Sequence, residues 1–465
     1  MRGIRYGVTV WLGILMLASG NSSVAAEPQR PNVLFIAVDD LNDWVGCLGG
    51  HPQAKTPNID ALARRGVNFT RAYCACPVCN PSRTALMTGL RSSSSGVYGN
   101  HQDRGKSPAA GVTPLNTHFR QHGYRVVGAG KIYHGDKDQW GEWDLYAPPS
   151  RGDLKPGAGE NAGVKGIRFA PVDAEDEEMG DYQTVSFCIE QLQQKHDQPL
   201  FLACGLHKPH MAWNVPRKYY DMFPLESIEL PKVLETDLED VPAAGREMAR
   251  PQGDHAAMTE SGRWKEAVRG YLAAGAFCDA MIGRLMRAFD ESPLQENTVV
   301  VFWGDHGWHL GEKLHWRKFA LWEEATRAPL FFSGTGIDSR NLTCGRTVDF
   351  MSIYPTLCEL TGLPIPDHVE GVSFVPLLKN PQAEWDRPAL TTHGRNNHAV
   401  RSERWRYIRY ADGGEELYDH EADPLEWKNL ASDGKYAALK TDLAKWIPAK
   451  NVEEAGRRGR ESDGE

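Results

Sequence analysis

Four apolar runs set the organisation of the chain. "NVLFIAVDD" (Asn32–Asp40), "YRVVGAGK" (Tyr124–Lys131), "PLFLACGLHKPH" (Pro199–His210) and "NTVVVFWGDHG" (Asn297–Gly307) each stop at charged or imidazole side chains. A hydrophobic run without alternation fits a strand buried on both faces, as in a parallel sheet covered by helices. Between the runs the period changes to that of helices. "NIDALARRG" has Asn58 as an expected N-cap and Gly66 as its stop, and "YQTVSFCIEQLQQK" and "RGYLAAGAFCDAMIGRLMRAFDE" continue the helical spacing. Strands alternating with helices predict an α/β fold. Ligands of open α/β sheets bind beyond the carboxyl ends of the strands. Here those ends carry Asp, Lys or His, which predicts one shared polar pocket.

The pattern weakens in two stretches. Residues 136–181 and 231–262 are rich in Gly, Pro and acidic side chains and are expected to be irregular insertions. After about residue 375 the chain becomes aromatic-rich, with a Gly-Gly turn in "RWRYIRYADGGEELYDHEADPLEWKNL". That predicts a short antiparallel sheet in a smaller C-terminal domain. The charged tail from Asn451 is expected to fray. At the other end, Arg2 and Arg5 precede an apolar run, Val8–Ala18, and "SVAAE" offers a cleavage point after Ala26. The run is too short to span a bilayer and reads as a secretory signal. The expected division is 1–26 signal peptide, 27–375 main α/β domain and 376–465 C-terminal subdomain. The mature protein is expected to be soluble, secreted or periplasmic, with no membrane attachment after cleavage.

Charge and cysteines narrow the chemistry. The 465 residues carry 52 Lys and Arg against 61 Asp and Glu, a net charge of −9 with no basic tract, which argues against nucleic-acid binding. An acidic protein that binds an anion needs a local basic pocket. The nine cysteines are odd in number and form no disulfide framework. Cys76 and Cys79 have no second pair to complete a zinc site. Asp39, Asp40, Asp305 and His306, at two strand ends, instead make an oxygen-rich site for Ca2+ or Mg2+. Cys79 lies at the start of a predicted helix, where N–H groups and the helix dipole favour an anion, and Arg83 adds a fork one turn on.

The stretch "CNPSRTALMTG" resembles the signature C-x-P-S-R followed by L/M-T-G of the formylglycine-dependent sulfatases, and "GYRVVGAGKIYH" (Gly123–His134) resembles their second signature. The resemblance runs from "PNVLFIAVDDL" to "ELYDHEADPLEWKNL". It implies an alkaline-phosphatase-like fold with a large, mostly parallel sheet and a small C-terminal antiparallel sheet. It also implies that Cys79 is oxidised to formylglycine by a maturation enzyme that reads Pro81 and Arg83. The hydrated aldehyde would attack the sulfur of a sulfate ester. Asp39, Asp40, Asp305, His306 and the modified Cys79 would bind the cation, usually Ca2+. Many sulfatases carry Asn where His306 stands, and imidazole suits Ca2+ less well than oxygen does.

By the same resemblance, Lys131, His134, His210 and Lys318 would surround the sulfate, with His210 or Lys318 protonating the leaving alcohol and His134 helping to break down the sulfo-enzyme, while Arg83 would hold the formylglycine hydrate and the metal ligands. "GLHKPHMAW" and "HWRKFALWEEATRAPL" resemble the iduronate-2-sulfatase branch, which removes 2-O-sulfate from a terminal uronate of a glycosaminoglycan. His207 is expected near the sugar. His398 and Arg401 are candidates for the uronate carboxylate, although Arg401 has many acids nearby to pair with. Three alternatives stand beside this reading. They are another sulfated polysaccharide, a phosphoester or phosphonate hydrolase of the same superfamily, and a carbohydrate-binding protein that has lost catalysis.

Overall fold

The computed structural model describes residues 1, 3–4, 6–9, 30–135, 141–150, 152–156, 160, 162–337 and 340–457. Ala26 and most of the expected leader run lie outside the described residues. Eight strands form the main sheet: β1 Asn32–Val38, β2 Val67–Tyr73, β3 Arg125–Gly130, β4 Leu145–Tyr146, β5 Leu200–Leu206, β6 Thr298–Gly304, β7 Leu330–Gly334 and β8 Leu342–Asp349. Their order is β8-β2-β7-β6-β1-β5-β3-β4. Only β7 runs against the rest, pairing antiparallel with β2 and β6. The four apolar runs therefore lie side by side as β6-β1-β5-β3, all parallel.

Period-two geometry splits each run between two cores. From β1, Leu34, Ile36 and Val38 pack with Ile59, Leu62, Val185, Tyr271 and Ile282 on one face. Val33, Phe35 and Ala37 pack with Leu86, Phe119, Tyr354 and Leu357 on the other. The first face is covered by helices Pro57–Ala63, Gly180–Gln193 and Trp264–Asp290, the last of 27 residues. Asn58 is not a cap. It lies inside its helix, which begins after Thr56, and the Asn58 and Ile59 N–H groups donate to Asp279 at 2.9 and 2.8 Å. A carboxylate from the long neighbouring helix thus does the capping, a partner 220 residues away that local sequence cannot reveal. Gly66 stands three residues beyond the helix, at the entry to β2.

Two other expectations change. Residues 231–262 contain helices Ala243–Ala249 and Asp254–Ser261, because their Ala, Glu, Met and Arg content outweighs the flanking Pro and Gly. The tail does not fray as far as residue 457. Val452 and Ala455 donate to the carbonyls of Ser93 and Gly96 at 2.9 and 2.8 Å, so its backbone is paired. The C-terminal sheet, Ala389–Thr392, His398–Arg401, Trp405–Arg409 and Glu415–Asp419, is antiparallel throughout, and its last hairpin turns at Gly413-Gly414. Val400, Tyr407 and Leu417 face Leu443 and Ile447, while Ala399 and Ile408 face Ala320, Leu321 and Trp322 of the larger unit. All nine cysteines are unpaired. Among the described residues no helix is long and apolar enough to cross a membrane.

Candidate active site

The ladder of the central strands continues one residue past their ends. Asp39 N donates to Leu206 O at 3.1 Å, Asp305 N to Val38 O at 3.0 Å and Lys131 N to Gly205 O at 2.9 Å. Asp39, Asp305 and Lys131 therefore emerge in register. Gly130 and Gly205 make this possible: a Cβ on Gly130 would lie 2.0 Å from Gly205 O, and one on Gly205 would lie 2.2 Å from Lys131 O. Asp40 turns back out of the strand direction at φ 57°, a left-handed conformation that a non-glycine residue holds only when its surroundings fix it. Its N–H donates to Asp305 Oδ1 at 3.0 Å and its carbonyl accepts from Tyr271 Oη at 2.8 Å.

Cys79 opens the helix Cys79–Thr88, all ten residues of which are buried. Its Sγ lies 3.0 Å from Lys318 Nζ, 3.3 Å from His306 Nε2 and 3.9 Å from Asp40 Oδ1. Arg83, one turn on, donates from Nε to Asp305 Oδ2 at 2.8 Å and from Nη2 to Asp39 Oδ1 at 3.3 Å, with Nη1 on the carbonyls of Lys131 and Ile132. It is wholly enclosed, with its guanidinium 5.7 Å from the Trp303 ring centre. Lys131 Nζ pairs with Asp39 Oδ2, and Lys318 Nζ lies 3.1 Å from Asp40 Oδ1. Positive φ at Arg317 and Phe319, 75° and 73°, turns Lys318 inward, and His315 Nε2 lies 2.6 Å from the Lys318 carbonyl.

The donor set fits a hard cation. The Nδ1 of His306 faces Gly307 O at 3.0 Å, which leaves Nε2 directed at Asp40 Oδ1 (3.4 Å) and Asp305 Oδ1 (3.6 Å), placed to serve as a ligand. Asp40 Oδ2 is buried with no hydrogen-bond partner, an expensive arrangement unless something positive meets it. Ligand atoms of Asp39, Cys79, Asp305 and His306 lie within 4.8 Å of one another. Burial disfavours the Asp39 carboxylate, but Lys131, His210, Arg83 and Lys318 outweigh it and hold its pKa well below the ordinary value. Burial pushes Asp305 up despite Arg83, and pushes the Cys79 thiol well up with Asp39 adding to it. A thiol held neutral is a poor nucleophile.

His210 borders this cluster on its open side, with Nε2 3.9 Å from both Asp39 Oδ2 and Asp40 Oδ2 and Nδ1 2.6 Å from Met211 O. Beyond it lies a cavity of about 250 Å3 walled in part by His207, Lys208, His210, Asp153, Asp181 and Arg168. His207 is half exposed there. His134 is half-buried in the bend that follows Lys131. His398 and Arg401 are not brought to the cluster. His398 Nδ1 lies 3.0 Å from Thr392 Oγ1, and Arg401 Nε pairs with Glu323 Oε2 at 3.2 Å inside the contact between the two sheets. Sequence reasoning missed Asp153 and Asp181, which hold the His207–Ala212 loop. They lie in the 136–181 segment, whose composition hides them, although Lys208 in "HKPH" signalled a buried cation in need of a partner.

The chain matches the family model described as "Sulfatase" over residues 31–363 and one described as "N-sulphoglucosamine sulphohydrolase, C-terminal" over 304–453. It is 38% identical to a sulfatase of Formosa agariphila over 95% of this chain and 91% of that protein. It is 29% identical to human iduronate 2-sulfatase over 78% of this chain and 76% of that protein. The solved structure of a 2-O GAG sulfatase superposes with a TM-score of 0.71 at 23% identity, covering 90% of this chain and 91% of that one, which establishes the alkaline-phosphatase-like fold. The aspartates, imidazole and cysteine-headed helix gathered at the sheet ends thus stand in a chain that belongs to the sulfatase family, a sulfuric ester hydrolase.

Proposed function

We propose that the protein removes 2-O-sulfate from a uronic acid at the end of a sulfated glycan, using a formylglycine formed from Cys79 and a Ca2+ ion. The observation that carries the reaction type is the convergence of Lys318 Nζ and His306 Nε2 on Cys79 Sγ, at 3.0 and 3.3 Å, inside a set of three aspartates. The substrate class is supported by the names of the relatives, an iduronate 2-sulfatase and a 2-O GAG sulfatase, and by the cavity beside His210.

Asp39, Asp40, Asp305 and His306 would hold the cation together with the side chain at position 79. When bound, the cation supplies Lewis-acid polarisation of oxygen and neutralises negative charge. Formylglycine, once formed and hydrated, would supply two hydroxyls on one carbon, one to attack sulfur and one whose collapse to the aldehyde lets sulfate leave, a route closed to a thiol or a serine. The chain's own groups do the rest. Arg83 spans Asp39 and Asp305 and keeps both carboxylates aimed without contacting solvent. Lys131 and Lys318 put their ammonium groups against Asp39 and Asp40 beside Cys79, where they would offset the charge that develops on the sulfate oxygens. His210 donates a proton from Nε2 to the departing sugar oxygen. His134 takes up a proton when sulfate is expelled, and His207 lines the sugar's side of the cavity. In this reading His398 and Arg401 stay out of the pocket, because Thr392 and Glu323 occupy them.

The test is sulfate release from two matched disaccharides by protein co-expressed with a maturation enzyme. One carries 2-O-sulfate on a terminal uronate and the other 6-O-sulfate on a hexosamine. Selective release of the 2-O-sulfate is expected. Release from neither, in protein whose Cys79 is shown to be converted, would move the substrate to another sulfated polysaccharide. Turnover confined to phosphate or phosphonate esters would overturn the sulfate reading itself.

A further inference from the structure

Lys208 has no part in the reaction just described, yet it is one of the most completely engaged cations in the molecule. Its side chain is only 5% exposed. Its Nζ donates to Asp153 Oδ1 at 2.5 Å, to Ala212 O at 2.5 Å and to His210 O at 3.3 Å. An ammonium has three N–H donors, and all three are spent on protein acceptors. None is left for a sulfate. Asp153 closes the circuit by accepting the Ala212 N–H on Oδ2 at 3.1 Å. At the start of the same loop, Asp181 accepts the N–H groups of His207 and Lys208, both at 2.8 Å. Burial works against the Asp153 carboxylate, and Lys208 more than offsets it, holding the pKa below the ordinary value. The loop that presents His210 is therefore fixed at both ends by carboxylates from the segment 136–181, and in its middle by one lysine.

We propose that Lys208, seated by Asp153, is a positioning residue for His210. It draws the carbonyls of His210 and Ala212 to a common point and so keeps the imidazole facing Asp39, Asp40 and the cavity. The role assigned to Lys208 rests on the reading of His210 as proton donor to the leaving alcohol. Because Asp153 also walls the cavity, the segment that shapes the sugar's surroundings and the loop that carries the acid move as one body.

A double-mutant cycle tests this on the holoenzyme with the 2-O-sulfated disaccharide. A displacement of about 1 Å at a catalytic group costs roughly 100-fold. Lys208→Met is therefore expected to lower kcat by about 100-fold and to leave KM within about threefold, since Lys131 and Lys318 still bind the sulfate. Asp153→Asn, which keeps the shape of its side chain, is expected to lower kcat by about tenfold. The deciding readout is Lys208→Met placed on His210→Ala. A residue that acts through His210 adds less than about threefold there. Full additivity in the double variant would make Lys208 a general structural anchor and overturn the proposal, as would an unchanged kcat in Lys208→Met. If Lys208→Met does not fold, Asp153→Asn on the His210→Ala background carries the same comparison. A failure of the underlying reading looks different, because His210→Ala alone would then leave kcat nearly unchanged. That result removes the proton donor, and the role proposed for Lys208 with it.

Discussion

The cluster at the sheet ends and the ionic seam beneath the C-terminal sheet both bury carboxylates against cations, and both gather ligand-type atoms. Glu323, His420 and Glu426 lie as close together as Asp39, Cys79, Asp305 and His306 do. Proximity alone does not separate a binding site from structural glue. The partners do. In the seam, Glu323 Oε2 takes Arg401 Nε at 3.2 Å and also Arg406, while Oε1 takes Tyr73 Oη at 2.8 Å. Glu426 Oε1 pairs by charge with Arg406 at 2.5 Å and takes His420 Nε2 at 2.9 Å, and Oε2 takes the Glu323 N–H at 2.9 Å. No oxygen of either glutamate is left over. Against the burial that disfavours it, Arg406 and His420 hold Glu426 down to about 2. At the sheet ends Asp40 Oδ2 has no hydrogen-bond partner, Asp305 is pushed up, and two of the three cations are lysines, on Asp39 and on Asp40. Planar guanidinium forks fix a structure, whereas an ammonium on a flexible stem can exchange one anion for another. The one guanidinium at the sheet ends, Arg83, takes the static role there as well.

The comparison breaks most sharply at Cys79. Cys79→Ala should lower sulfate release by at least about 1,000-fold while the melting temperature stays within about 2 °C, because the loss removes chemistry and leaves the packing. Residual turnover near that of the parent protein would sink the formylglycine mechanism. The open oxygen of Asp40 makes the next largest prediction. Chelation should abolish activity and lower the melting temperature, and Ca2+ should restore both better than Mg2+. A ligand present at about 100 times its Kd contributes about 2.7 kcal/mol to stability. Asp40→Asn should blunt that thermal response to Ca2+. The seam should answer the opposite way. Arg406→Met leaves two glutamates without their shared partner and should cost about 3–5 kcal/mol of stability, with KM unchanged in the folded fraction. The Glu426 pKa is depressed in the folded state, so its contribution is complete above its ordinary 4.5 and is lost as pH falls toward about 2. Acid titration of the parent protein followed by circular dichroism, set beside Arg406→Met, reads this directly. An equal loss of stability to chelator in Arg406→Met and in the parent protein would confirm the seam as metal-independent.

Most of the cluster at the sheet ends was legible in the sequence because the parallel sheet converts four strand ends into one place. Asp39, Lys131, His210 and Asp305 each follow an apolar run, and a pattern that marks a strand also marks what lies at its end. Cys79 and Arg83 were legible because helix periodicity puts them on one face, one turn apart. What stayed hidden depends on contacts between distant segments. The Asp279 cap of helix Pro57–Ala63, the Asp153–Lys208 pair and the pinned tail each join residues from tens to hundreds of positions apart, and acidic residues in Gly- and Pro-rich stretches carry no period to betray them. Arg401 illustrates the limit well. Its charge suggested a substrate anion, but the anion it meets is Glu323, at the start of the short helix Glu323–Thr326.

The smallest expected effect concerns His398, the other residue that sequence alone suggested for the uronate carboxylate. A histidine that binds a carboxylate by charge must be protonated. Burial holds the His398 imidazole down to about 4, with the Arg409 guanidinium acting in the same direction. In the working range of a neutral or mildly acidic enzyme it is therefore uncharged, and Nδ1 is engaged with Thr392 Oγ1 at 3.0 Å. His398→Gln should change KM for the 2-O-sulfated disaccharide by less than about threefold. It should change the acid response more visibly. A histidine whose folded pKa lies below its unfolded 6.5 contributes fully above 6.5 and progressively less as pH falls toward about 4. Removing it should flatten the loss of stability across that window by about 2–3 kcal/mol, measured by urea unfolding at successive pH values. A tenfold rise in KM at unchanged kcat would return His398 to the substrate side and show that the C-terminal sheet contributes to the pocket, not only to the seam beneath it.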